Sequence, residues 1–140
     1  MENTLILYPI FALVALTLGI GIRLGVLRFA AVRRGDLTPR FYELNRGGKM
    51  PDYLAKVSQN YDNLLELPIL FYLLAVCLFI TDKVDMVQLL LAWLFIASRY
   101  AHSYIHITDN KLRPRMRAFL LGVLLVIVMW VWFLLQVLFF

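Results

Sequence analysis

The chain has 140 residues, of which 62% are hydrophobic and only 16% charged, with a mean hydropathy of +0.78 and a formal net charge of +5. A soluble domain of this size runs nearer half apolar and a quarter charged, so these proportions exclude one and make lipid the solvent for most of a single domain. The one cysteine, Cys77, lies in an apolar run, which excludes an internal disulfide and leads us to expect a buried, inert thiol.

The first apolar segment runs from Leu5 to about Leu27, long enough to cross a hydrocarbon core of roughly 30 Å at ~1.5 Å per residue. It does not have the form of a cleavable signal peptide: Glu2 is the sole charge before it, and it is too long for an h-region. The connection that follows contains "RRGDLTPRFYELNRGGKMPDYLAK", which Thr38-Pro39, Gly47-Gly48 and Pro51 punctuate as loop. Its paired glycines lack the strand context and the GK[ST] tail of a phosphate loop. From Pro51 onward, "PDYLAKVSQNYDNLLEL" reads as a helix start that enters the membrane, the apolar span itself covering about Leu64 to Ile80. The third segment is Met86 to about Ile107, increasingly polar in its last turns, and the fourth is Ala118 to Phe140. Unpaired backbone is not tolerated in hydrocarbon, so all four are expected to be helices: an all-α integral membrane protein, a four-helix transmembrane bundle.

Basic residues set the expected orientation. The first connection carries Arg28, Arg33, Arg34, Arg40, Arg46, Lys49 and Lys56, and the third carries Lys111, Arg113, Arg115 and Arg117. The second has only Lys83 between Asp82 and Asp85, and the N-terminus has neither lysine nor arginine. The positive-inside rule places connections one and three in the cytoplasm and both termini on the non-cytoplasmic side. A basic cytosolic rim marks topology and anionic lipid, or else an anionic ligand; nothing in it suggests nucleic acid.

Inside this apolar frame lies one polar layer, at the cytoplasmic third. Lys56, Gln59, Asn60, Asn63 and Glu66 recur at three- and four-residue steps and are expected to form one stripe. A carboxylate in hydrocarbon costs at least ~2.5–3.5 kcal/mol, so Glu66 should face protein or water and find a partner, with Arg99 or Arg117 as the candidates. Arg23 lies near the cytoplasmic end of the first helix, Arg99, His102 and His106 share a face of the third, and Arg115 and Arg117 stand at the start of the fourth. Cations at a helix N-terminus oppose the macrodipole, so helix stability does not explain them; topology does, and so would an anion site built on the free N–H groups. The layer reads either as interhelical hydrogen bonding or as a cavity for a charged molecule. A zinc site of His102, His106 and Glu66 has too few ligands to carry weight, and no metal is expected.

These residues are similar to those of the MAPEG proteins, the membrane-associated proteins of eicosanoid and glutathione metabolism, in a bacterial-type form. "QNYDNLLELP" resembles the family's R-x3-N-x2-E signature followed by proline through Asn63, Glu66 and Pro68, with Gln59 in the arginine place. A second register, Lys56, Asn60 and Asn63, keeps the cation and loses the acid. "RYAHSYIH" resembles R-x2-H-x3-Y through Arg99 and His102, with His106 for the tyrosine. "RPRMRAF" resembles the proline-arginine start of the last family helix and points to Arg117, whereas counting from Arg99 favours Arg115.

The resemblance implies one MAPEG-like domain over residues 1–140, a homotrimer, and a multi-pass protein of the bacterial inner membrane. It further implies glutathione as co-substrate near the cytosolic face, held by Gln59, Asn63, Glu66, Arg99, His102, His106 and Arg23, with Arg117 or Arg115 as catalytic cation. The activity implied is a glutathione-dependent transferase or peroxidase acting on an apolar electrophile or lipid hydroperoxide. Ala118 stands where the prostaglandin-forming members have serine, and Phe119, Leu120 and Leu121 fill the stretch where they have tyrosine. A non-enzymatic lipid-binding or accessory subunit is therefore the alternative, since a fold does not fix an activity.

Overall fold

The computed structural model describes residues 2–139; Met1 and Phe140, the last residue of the fourth apolar segment, lie outside the described residues. A 3-10 turn (Asn3–Ile6) leads into α1 (Leu7–Arg34), followed by the single turn α2 (Phe41–Leu44), α3 (Asp52–Glu66), α4 (Pro68–Ile80), α5 (Met86–Ile107) and α6 (Leu112–Phe139). No strand occurs among the described residues. Three stretches, Asn3–Arg34, Asp52–Ile80 and Leu112–Phe139, are long and apolar enough to cross a membrane. The fourth long helix, α5, has 22 residues and gathers Arg99, His102 and His106 in its second half.

α1 runs on past the expected end near Leu27 because nothing between Arg28 and Arg34 breaks a helix. Gly35 ends it at φ 81°, where its N–H and that of Asp36 bond back to Val32 and Ala31, the left-handed cap that glycine adopts without strain. Arg33 and Arg34 in that last turn complement the helix dipole. The polar connection then folds over the bundle end, with Leu37 and Phe41 buried in the core. It is clasped by Tyr53, whose hydroxyl donates to Asp36 at 2.6 Å, and by Tyr42, whose hydroxyl donates to the Arg28 carbonyl at 3.2 Å.

α3 and α4 make one rod. Pro68 has no N–H to give Leu64, so the hydrogen-bond ladder is interrupted at Leu67, yet Leu67 keeps right-handed helical angles and the rod continues. α1 lies close against this rod at Gly21, where an added Cβ would meet the Tyr61 ring at 3.0 Å. α5 joins α1 through the Tyr100 hydroxyl, which donates to the Ala12 carbonyl at 2.7 Å.

The core is aliphatic and aromatic: Leu13, Leu54, Leu74, Leu78 and Met129 are fully buried, and Phe71 stacks on Phe95 with ring centroids 4.9 Å apart. The outward faces are apolar as well, Phe29 at 77% and Ile22 at 70% exposure among them, as expected where the surrounding medium is lipid. Cys77 is half-buried on α4 rather than enclosed in the core.

At the end holding the α4–α5 turn, Asp85 fastens α5 to α6. One carboxylate oxygen caps α5 by accepting from the Gln88 N–H at 2.7 Å. The other accepts from Trp132 Nε1 at 2.9 Å and Gln136 Nε2 at 3.0 Å. Gln88, fully buried, donates to the Met129 carbonyl at 3.1 Å and to Gln136 Oε1 at 3.3 Å.

Candidate functional site

At the opposite end, three helices each turn a short stripe toward a common cavity of about 470 Å³. α3 supplies Gln59, Asp62, Asn63 and Glu66, α5 supplies His102 and His106, and α6 supplies Leu112, Arg115, Met116 and Phe119. Within each helix these residues sit three or four apart, the spacing that stacks side chains on one face. A smaller cavity of about 300 Å³ adjoins it through Gln59 and is lined also by Asp52, Lys56, Asp109 and Asn110.

Of the sequence-predicted site residues, Gln59, Asn63, Glu66, His102, His106 and Arg115 meet in this one space. Arg99 lies behind the wall, 1% exposed. Arg117 and Arg23 are exposed and do not line the cavity of their own chain. Two residues on the same helix turn point to opposite sides, which is how Arg115 faces in and Arg117 faces out.

The expected stripe on α3 divides. Asn60 lies about 100° around the helix from Gln59 and points into the bundle, fully buried, where its Oδ1 accepts from the Ser103 hydroxyl at 3.1 Å. Lys56 donates to the Thr108 carbonyl at 2.9 Å, covering the C-terminal end of α5. Gln59, Asn63 and Glu66 remain on the cavity side, joined by Asp62.

The expected pairing of Glu66 with Arg99 or Arg117 does not form within the chain. Among the described residues the one ion pair is Lys111–Asp109, 3.6 Å, at the exposed α5–α6 turn. Arg99 is held by neutral groups instead. Its Nη2 donates to the Ala118 and Phe119 carbonyls at 2.9 and 3.3 Å, and its Nε to the Ser98 hydroxyl at 3.4 Å. The guanidinium carbon lies 5.6 Å from the Phe95 ring centre and 5.5 Å from that of Phe119, within cation–π range. Gly122 makes this possible: a Cβ there would meet Nη2, Cζ and Nε of Arg99, the last two at 2.8 and 2.9 Å.

His102 is oriented by α6. Its Nδ1 donates to the Arg115 carbonyl at 3.2 Å, which in the neutral ring leaves Nε2 with the lone pair. That Nε2 and the Nδ1 of His106 are buried without a hydrogen-bond partner, and the two rings meet edge to face at 5.6 Å. Arg115, half-buried, donates through Nη1 to Asn110 Oδ1. No group of three or more His, Cys, Asp or Glu among the described residues is placed to hold a metal ion.

The comparison with protein families matches residues 6–135, nearly the whole chain, to the MAPEG family. The chain belongs to the MAPEG family. With three helices fit to span a bilayer, this MAPEG chain is an integral membrane protein. No curated protein and no solved structure matches it.

Two features of this MAPEG site were missed in the sequence. Asp62 stands one turn before Glu66, and the same i, i+4 rule that gathered the other residues would have found it. The role of Gly122 carried no sequence signal, because a lone glycine in an apolar helix names no neighbour.

Proposed function

We propose that the protein is a membrane-embedded glutathione-dependent transferase or peroxidase acting on an apolar electrophile or lipid hydroperoxide. The observation that carries this reading is the single cavity in which Gln59, Asn63, Glu66, His102, His106 and Arg115 meet beside apolar Leu112, Met116 and Phe119. The protein works as one unit over residues 1–140 with α5 as its fourth span, both termini on the non-cytoplasmic side and the cavity facing the cytosol. For a bacterial chain the membrane is the inner one.

The charges at the site favour a contribution from a neighbouring copy, and membership of the MAPEG family makes the assembly a homotrimer in this reading. Glutathione carries two carboxylates, and the cavity of one chain offers one guanidinium, Arg115. Arg23 and Arg117, exposed on outer helix faces, supply the second from a neighbouring copy. Arg115 or Arg117 beside the thiol lowers its pKa and favours the nucleophilic thiolate. Asn63 and Gln59 bind the peptide amides, and Glu66 accepts from the ammonium. His102 and His106 complete the polar wall of the cavity on α5.

The other reading, a lipid-binding or accessory subunit without catalysis, rests on the start of α6. Arg99 spends its donors on the Ala118 and Phe119 carbonyls, and no hydroxyl occupies either position. Glutathione should raise the melting temperature of the purified wild type and not of Glu66→Ala, Arg115→Ala or Arg117→Ala. Turnover of 1-chloro-2,4-dinitrobenzene or cumene hydroperoxide should depend on glutathione. No shift and no turnover would replace the enzyme reading with the accessory one.

A further inference from the structure

Arg115 is half-buried and lines the cavity, whereas Arg117, two residues further along α6, is exposed and does not. A free arginine side chain is long and mobile, so a cation that serves a site needs something to hold it there. Two groups hold Arg115. Its carbonyl accepts from His102 Nδ1 at 3.2 Å, which fixes the main chain at the start of α6. Its Nη1 donates to Oδ1 of Asn110, which fixes the far end of the side chain.

Asn110 is itself built in. It lies in the turn between α5 and α6, where its N–H donates to the Ile105 carbonyl at 2.9 Å. Its φ is 55°, in the left-handed region that asparagine tolerates better than most residues. The turn is braced from both sides. Lys56 of α3 donates to the Thr108 carbonyl at 2.9 Å, the Thr108 hydroxyl donates to the Tyr104 carbonyl at 2.6 Å, and Lys111 pairs with Asp109 at 3.6 Å.

The chemistry of the tether matters as much as its position. A carboxylate there would hold the guanidinium but offset its charge. A carboxamide oxygen takes one of the five N–H donors and leaves the charge and the other donors for an anion. Asp109, one residue earlier, has its carboxylate on Lys111 instead.

We infer that Asn110 is a positioning residue: its neutral carboxamide presets Arg115 as the cation that meets a carboxylate or the thiol of glutathione. The ligand in this statement rests on the glutathione reading, and the tether does not. The inference goes beyond that reading by deciding for Arg115 over Arg117, and by giving a role to a turn residue outside the lining of the main cavity.

The test uses the full-length protein in a non-ionic detergent and two variants. Asn110→Gly removes the carboxamide and leaves the backbone at φ 55° without strain. Asn110→Asp keeps an oxygen in place and adds a charge. Phenylglyoxal, whose adduct bridges two guanidinium nitrogens, reports the tether with no ligand present, modification of Arg115 and Arg117 being read by peptide mass spectrometry. Relative to Arg117, Arg115 should react about threefold or more faster in Asn110→Gly than in the wild type, and no faster in Asn110→Asp. Glutathione affinity, from the shift in melting temperature, should fall about three- to tenfold in Asn110→Gly, the cost of ordering one long side chain on binding. It should fall in Asn110→Asp as well, with the tether intact. There the pH profile of kcat/KM with 1-chloro-2,4-dinitrobenzene should also move to higher pH, because a part-neutralised cation lowers the thiol pKa less. A merely structural role for Asn110 would lower the ligand-free melting temperature and move neither the modification ratio nor the pH profile, and that result overturns the inference. So do equal ratios in the wild type and Asn110→Gly, or glutathione affinity unchanged in both variants. A wild type that does not respond to glutathione removes the enzyme reading, and the modification ratio then still decides whether Asn110 holds Arg115.

Discussion

Gly122→Ala tests how the buried guanidinium is held. The new methyl group would sit against Nη2, Cζ and Nε of Arg99, two of these at 2.8 and 2.9 Å, so something must move. If α6 shifts, the cost is that of overpacking, ~1–3 kcal/mol. If the guanidinium leaves, it forfeits its bonds to the Ala118 and Phe119 carbonyls, ~1.5–3 kcal/mol each for a charged donor. The cheaper shift prevails, at the upper end of its range because three atoms are met at once. Against this, alanine is a better helix residue than glycine by ~1 kcal/mol, leaving a net destabilisation of about 2 kcal/mol. In an Arg99→Met background the guanidinium is gone, and the same Gly122→Ala change should stabilise by up to ~1 kcal/mol. The coupling between the two positions is then about 3 kcal/mol, measurable by reversible unfolding of all four proteins in mixed micelles of dodecyl sulfate and a mild detergent. A coupling below ~0.5 kcal/mol would refute the account, since independent sites add to within that margin.

Asp85→Ala should cost about 1–3 kcal/mol, because it removes the cap of α5 and leaves the half-buried Trp132 Nε1 without its acceptor; the fluorescence of Trp132 should change with it, and an unchanged spectrum would argue against the contact. On a background without Cys77, an impermeant thiol reagent applied to intact cells should label a cysteine placed next to Asp82 and not one next to Gly47; the reverse pattern would invert the proposed orientation. Native mass spectrometry from mild detergent should show three copies, and a stable monomer would leave glutathione's second carboxylate without Arg23 or Arg117 of a neighbour.

Three of the four expected apolar segments were legible because a bilayer makes one demand on every residue that crosses it, so composition alone carries the signal; α5, with its polar second half, is not among the helices apolar enough to cross. Helix ends were less so: α1 ran on to Gly35 since arginines and alanines between Leu27 and the glycine suit a helix as well as a loop. Periodicity placed Gln59, Asn63 and Glu66 on one face of α3. It could not place Asn60, because whether a residue 100° away faces the cavity or the bundle depends on where α5 crosses. The same limit left Arg115 and Arg117 undecided, since only the packing of α6 on α5 determines which side of α6 is inward. The partner of Arg99 was misjudged for a chemical reason: a search for opposite charges overlooks main-chain carbonyls, which become acceptors for a guanidinium where a glycine lets it reach the backbone.

That arrangement bears on how the chain enters the bilayer in the first place. With α5 crossing as proposed, Arg99 would confront the insertion machinery with a lone cation, at ~2.5–3.5 kcal/mol near a helix centre. Its acceptors belong to the following helix and do not exist until residues 118–122 have been synthesised and wound. The turn between the two helices is only Thr108–Lys111, short enough for them to form a hairpin. α5 is thus expected to wait at the translocon for α6 and to partition into lipid together with it, the guanidinium already sheltered. A nascent chain truncated before Ala118 would present α5 without that shelter.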